Sequence, residues 1–189
     1  MTVLLVLALL IILLLIVAIV RLLYINYKIS LILKTNKETK KLRTLAYTDA
    51  LTGVYNRNAY NMHISEFKRL EINHTMGIIL FDVDNFKSIN DSKGHLAGDD
   101  VLIYVANSLK RVFPNPKNNV YRIGGDEFAV ISRNTNETEI IDSLIVLRKI
   151  LEKESDIRLS NGYSIINGNI KSAFKYADEM LYADKFSKK

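Results

Sequence analysis

The chain of 189 residues contains no cysteine, only two prolines, and almost no negative charge in its first quarter. Without cysteine there is no disulfide framework, thiolate metal site or cysteine nucleophile, and an unstapled domain of this size suits a reducing compartment. Zinc-finger and papain-like chemistry are thereby excluded. Residues 1–47 carry seven Lys and Arg against Glu38 alone, whereas residues 48–189 hold nineteen of each sign. The overall charge of +6 therefore belongs entirely to the N-terminal segment. A neutral C-terminal portion argues against tracking a nucleic-acid backbone, so no nucleic-acid partner is expected. The length supports one globular domain plus an appendage, with no space for a separate sensor domain.

Val3 to Val20 is built from Val, Leu, Ile and Ala only. As a helix this run spans about 27 Å, close to a bilayer core. No basic n-region precedes Val3 and the run exceeds a typical signal-peptide core, which favours an anchor over a cleaved leader. Residues 3–23 are read as a transmembrane helix, with Arg21 snorkelling. All flanking positive charge lies after the span, which predicts a single-pass protein of the cytoplasmic membrane with its bulk in the cytoplasm. Residues 24–47 read as a cytoplasmic helical linker. Leu22, Ile25, Ile29 and Ile32 form either a short parallel dimer seam or part of a plain stop-transfer flank.

From Asp49 the pattern alternates. Asn56 is placed to cap a helix carrying Tyr60, Ile64 and Phe67. Gly77 to Asp82 reads as a buried strand, and Val101, Val105, Leu109 and Val112 as an amphipathic helix ending before Pro114. Strands over Val120–Ile123 and Phe128–Ser132 flank Gly124-Gly125-Asp126-Glu127, whose glycines suit a tight hairpin. A helix through Ile140, Leu144, Leu147 and Leu151, a strand around Ile157–Ile166 and a last helix with Ala173, Ala177 and Leu181 complete residues 48–189. The fold class is α+β, a ferredoxin-like palm with a β-α-β-β-α-β core and a central antiparallel sheet, preceded by one transmembrane helix.

Asp82 and Asp84 end the first strand, while Asp126 and Glu127 lie in the hairpin of the neighbouring strands. Acidic oxygens from adjacent strands are the hard ligands Mg²⁺ requires, and two such ions clamp an attacking hydroxyl and a leaving phosphate. Taken singly, each acidic pair reads equally as a solvated turn.

The run Phe81-Asp82-Val83-Asp84-Asn85-Phe86-Lys87-Ser88-Ile89-Asn90-Asp91, followed by Gly94-His95, Gly98-Asp99 and Gly124-Gly125-Asp126-Glu127-Phe128, resembles the signature of the GGDEF diguanylate cyclase family. Asp49 to Arg57 resembles the usual start of that domain, and Ala177 to Lys185 its closing helix. The resemblance implies a nucleotidyltransferase that condenses two GTP into cyclic di-GMP and two pyrophosphates, for second-messenger signalling. It implies two Mg²⁺ per active site, held by Asp82, the carbonyl of Val83, Asp126 and Glu127, the last as ligand or base. It places the amides of Asn85 and Phe86 on the terminal phosphates, neutralised by Lys87 and Lys185. Asn90 and Asp99 would select guanine, and His95 either touches the base or enters the helix as a structural residue. Each domain would hold one nucleotide, so catalysis would require a homodimer.

Three departures stand out. Many members carry an Arg-x-x-Asp product-binding site nine residues before Gly124. The matching stretch here is Asn115-Pro116-Lys117-Asn118, without either charge. No product inhibition through that site is therefore expected. The 32 steps from Phe128 to Ser160 leave little room for the β-hairpin that usually precedes the final strand. The C-terminus reads Lys185-Phe186-Ser187-Lys188-Lys189 where Gly-Arg-Asn is usual, and Lys189 aligns with a phosphate-contacting arginine. The alternative to an enzyme is a degenerate GGDEF domain that senses GTP or serves as an interaction module.

Overall fold

The structure is a computed structural model describing residues 2–69, 75–166 and 168–188. It divides into two compact units, residues 1–44 and 45–189. The first unit lies within helix α1 (Thr2–Tyr47), whose large apolar side chains from Leu9 to Leu33 are exposed. Among the described residues, Leu9–Tyr47 is long and apolar enough to cross a membrane. A helix that is apolar all round needs lipid or other helices as its surroundings.

The second unit follows the order α2 (Arg57–Arg69), β1 (Met76–Val83), α3 (Phe86–Lys93), α4 (His95–Val112), β2 (Asn118–Arg122), β3 (Glu127–Arg133), α5 (Glu137–Glu154), β4 (Leu159–Ile166) and α6 (Ile170–Ser187). The four strands form one sheet in the order β2-β3-β1-β4, every neighbouring pair antiparallel. This is the split β-α-β arrangement expected from the alternation of elements. The register sets Asp82 opposite Glu127 on one side and opposite Ser160 on the other.

The period of two along β1 sends Ile79, Phe81 and Val83 to one face and Ile78 and Leu80 to the other. The first set packs with Leu102, Val105 and Leu109 of α4 and Leu147 and Leu151 of α5. The second set meets Ala59 of α2 and Ala173 and Ala177 of α6. Each large apolar side chain fully buried in these layers contributes about 1.5–3 kcal/mol. The small residues on α6 permit close approach, since a Cβ at Gly162 of β4 would collide with the backbone at Ala177 and Leu181.

Asn56 caps α2 as expected, its Oδ1 accepting from the Ala59 amide at 3.0 Å. Asn136 caps α5, and Glu137 and Glu139 in its first turn complement the helix dipole. The hairpin expected at Gly124-Gly125 forms between β2 and β3, and two details go beyond the sequence reading. The helix α3 was not foreseen, because at eight residues it offers only Phe86 and Ile89 as an apolar face, too short a run to read as a period. The glycines of Gly124-Gly125 do not provide positive φ; a Cβ on Gly124 would instead run into the Glu127 carboxylate. The connection between β3 and β4 holds α5 and no strand, consistent with its short length.

Candidate active site

The end of β1 opposite its first residue, Met76, gathers the acidic side chains. Asp82, the seventh residue of an eight-residue buried strand, is itself buried, and its position there follows from the apolar run before it. Its Oδ2 accepts from Lys185 Nζ at 2.8 Å. Its Oδ1, also 2.8 Å from that ammonium as an ion-pair contact, is buried and accepts no hydrogen bond. Lys185 is 42% exposed, so water screens the pair and its strength is that of a partly solvated bridge. The hydrogen bond to Asp82 raises the Lys185 pKa above its ordinary value, helped by the charges of Asp82, Asp126 and Asp84 and opposed by burial. Lys185 thus sits within the field of three carboxylates contributed by two strand ends.

Asp84 follows the strand and is held on both sides. Its amide donates to Arg158 O at 3.0 Å, and its Oδ1 accepts from Ser160 Oγ at 2.5 Å. Its Oδ2 is buried and accepts no hydrogen bond, with Lys188 Nζ 3.8 Å away. Lys188 in turn donates to Leu159 O at 2.9 Å and to Asp184 Oδ2 at 2.8 Å. Val83 is tied to the hairpin by its amide, which donates to Asp126 O at 3.2 Å.

Asn85 adopts a left-handed conformation, φ 57°, which asparagine tolerates better than most residues. It precedes α3 without a side-chain cap, so the first amides of that helix are left for another acceptor. Phe86 begins α3 and Lys87 is exposed beside it. Gly94 ends α3 at φ 84° and His95 opens α4, exposed. Asn90 Oδ1 lies where a Cβ on Gly98 would be, which explains a glycine immediately before Asp99.

A cleft of about 670 Å³ adjoins this end of the sheet, and Asp84, Asn85, Lys185 and Lys188 are among its walls. Asn90, His95, Asp99, Asp82, Asp126 and Glu127 are not. Asp82 and Glu127 are brought to facing register positions, yet among the described residues no three acidic or histidine side chains converge as a metal cluster. Lys189 lies outside the described residues.

Residue reading singled out neither Arg122 nor the partner of Asp49. Arg122 donates from Nε and Nη2 to Gly125 O at 3.1 and 2.7 Å and from Nη1 to Asp49 Oδ1 at 3.2 Å. Asp49 also accepts from the amide and hydroxyl of Thr52 at 2.9 and 2.6 Å. Burial opposes its charged form, but these bonds from Thr52 and Arg122 outweigh it and lower the Asp49 pKa. The Asp-x-x-Thr spacing is a side-chain turn signal that would have located Asp49. Its pairing with Arg122, 73 residues away, has no local signature. Together they brace the Gly-Gly turn from behind.

A family described as diguanylate cyclase, GGDEF domain, matches residues 46–189. The chain belongs to the GGDEF diguanylate cyclase family. Among curated relatives of this GGDEF domain, the diguanylate cyclase DgcN of Escherichia coli K12 is 34% identical over 161 residues, 79% of this chain and 39% of that protein. An uncharacterized membrane protein of Staphylococcus saprophyticus is 31% identical over 153 residues, 72% of this chain and 42% of that protein. The chain thus spans well under half the length of these relatives. The crystal structure of the coiled coil and GGDEF domain of DgcB from Caulobacter crescentus, in complex with c-di-GMP, superposes with a TM-score of 0.74 at 27% identity, covering 84% of this chain and 90% of that one.

Proposed function

We propose that this GGDEF domain is a diguanylate cyclase, condensing two GTP into cyclic di-GMP with release of two pyrophosphates. The observation that carries the reading is the Asp82 carboxylate, buried at a strand end with one oxygen left without a hydrogen bond. Lys185 balances part of its charge at 2.8 Å, and a buried, hard anionic oxygen with an unused lone pair fits Mg²⁺. Asp82, the Val83 carbonyl, Asp126 and Glu127 would hold the two ions. When bound, Mg²⁺ supplies charge neutralisation on the transferring phosphate.

The chain's own groups do the rest. Lys185, kept protonated by its carboxylate neighbours, offers a cation to the phosphates, and Lys87 and Lys189 are assigned further phosphate-neutralising roles. The uncapped amides of Asn85 and Phe86 donate to the terminal phosphate oxygens. Asn90 and Asp99 accept and orient the guanine edge, with His95 beside them. Because one domain presents one such constellation, two chains facing each other bring the 3′-hydroxyl of one nucleotide to the α-phosphate of the other, so the active species is a homodimer. The N-terminal helix anchors the protein in the cytoplasmic membrane with the GGDEF domain in the cytoplasm, and shared anchoring raises the local concentration of partners. The stretch 115–118 leaves the enzyme without Arg-x-x-Asp product inhibition.

A second reading, a GTP-binding module without turnover, draws on the Lys185–Asp82 pair, because an ammonium at 2.8 Å competes with a metal for the same carboxylate. The deciding experiment incubates the full chain, in lipid discs, with GTP and Mg²⁺ and identifies products by mass spectrometry, with Asp126→Ala as the blank. Cyclic di-GMP in the wild type alone supports the cyclase; bound but unconverted GTP supports the module.

A further inference from the structure

A second cavity, of about 290 Å³, lies against α5 and the start of β4 and takes no part in the proposed reaction. Its inner wall is apolar, with Phe81 of β1 and Leu144, Leu147 and Leu151 of α5. Its rim is cationic, Arg148, Arg158 and Lys188 against Glu152 alone. Among the described residues neither arginine side chain makes an ion pair or a hydrogen bond. Elsewhere in this unit Arg111 pairs with Glu154 and Arg122 with Asp49, while Arg57 donates to Ile123 O and Arg133 lies over the Phe67 ring, so each of these guanidinium groups has a partner. Two unpaired guanidinium forks beside an apolar hollow offer bidentate donors to an anion whose body is hydrophobic. The volume is at the lower end of what small-ligand pockets have, about 300 Å³.

We propose that this cavity binds a small amphipathic organic anion, an aliphatic or aromatic body carrying one carboxylate. The body replaces water over the leucines, and the carboxylate is held between Arg148 and Arg158. Lys188 gives the site a route to the nucleotide cleft, since it lines both cavities. Its ammonium is shared among Leu159 O, Asp184 and, at 3.8 Å, Asp84. A carboxylate arriving on the other side of Lys188 competes with Asp84 for that charge, so occupancy of one cavity changes the electrostatics of the other, and the coupling is reciprocal.

The test uses the full chain in phosphatidylcholine discs, with fluorine NMR of para-trifluoromethyl-phenylacetate as probe, its uncharged amide as the matched control, and empty discs as background. The expected result is saturable binding of the carboxylate, with the amide and the Arg148→Glu/Arg158→Glu protein each weaker by about tenfold or more. The double variant should keep the wild-type melting midpoint, as both side chains are exposed; if it loses its folded signal, Arg148→Gln carries the same comparison. Three results would overturn the proposal: no binding above empty discs, equal binding of the amide, or wild-type affinity in a folded variant lacking the guanidinium charge.

Discussion

The two ends of the sheet treat buried polarity in opposite ways. Where β1 finishes, Asp82 and Asp84 each keep a buried oxygen that accepts no hydrogen bond. Where β1 starts, the polar groups satisfy one another. Ser132 Oγ donates to Asn118 Oδ1 at 2.6 Å, Asn118 Nδ2 donates to Pro114 O at 3.1 Å, and Glu139 accepts from Lys117 at 2.6 Å and from Thr135 at 3.1 Å. Buried polar groups left without partners cost free energy, and a ligand or water that completes them recovers it. On the proposed reading, one end of this sheet serves stability and the other a ligand. The same stretch that lacks the Arg-x-x-Asp charges, Asn115 to Asn118, forms part of the satisfied end.

This contrast breaks most visibly at the catalytic end. Asp126→Ala should lower cyclic di-GMP formation by about a hundredfold or more, measured as product per folded protein, because charge placed on the transferring phosphate is worth that much. Lys185→Met should cost roughly tenfold, with the larger part in kcat, since it removes one cation of several. At the satisfied end the pattern reverses. Asn118→Ala strands Ser132 Oγ and leaves Pro114 O only the residue-118 amide at 3.3 Å, and should cost about 1–3 kcal/mol, lowering the melting midpoint by roughly 3–10 °C with turnover per folded molecule unchanged.

The smallest effect separates the ends by pH. Glu139 has its pKa lowered by the hydrogen bonds from Lys117 and Thr135, so its contribution is present above its unfolded value of 4.5 and lost as pH falls through the lower folded value. Lys185 has its pKa raised by Asp82, so its contribution is complete below 10.5 and lost as pH rises through the higher folded value. Thermal melts should therefore show Glu139→Gln flattening only the acid limb and Lys185→Met only the alkaline limb, each slightly because both side chains are substantially exposed.

The strands and long helices were legible because their apolar periods are strong: Gly77–Asp82 extends by only one residue at each end, and Pro114 marks where α4 has stopped. Helix α3 was illegible because two turns carrying only Phe86 and Ile89 as apolar residues are too short for a period to show. Asp82, Asp126 and Lys185 were proposed as site residues from motifs, and the structure places Lys185 against Asp82 across 103 residues. Ser160, Asp184 and Lys188 escaped notice, because their importance lies in contacts with Asp84 and Asn161 that only the folded register creates. Arg122 was invisible for the same reason, its partners being a backbone carbonyl and an aspartate at the domain start.

The account is tested most directly by Asp82→Asn in the full chain, with cyclic di-GMP formation from GTP and Mg²⁺ and the melting midpoint measured on the same sample. Replacing a buried carboxylate that is under-supplied with hydrogen bonds, while its partner Lys185 keeps access to water, should abolish product yet leave the midpoint within about 3 °C of wild type or above it. Product at the wild-type rate, or a midpoint that falls as far as that of Asn118→Ala, would contradict the claim that this end of the sheet is kept unsatisfied for catalysis.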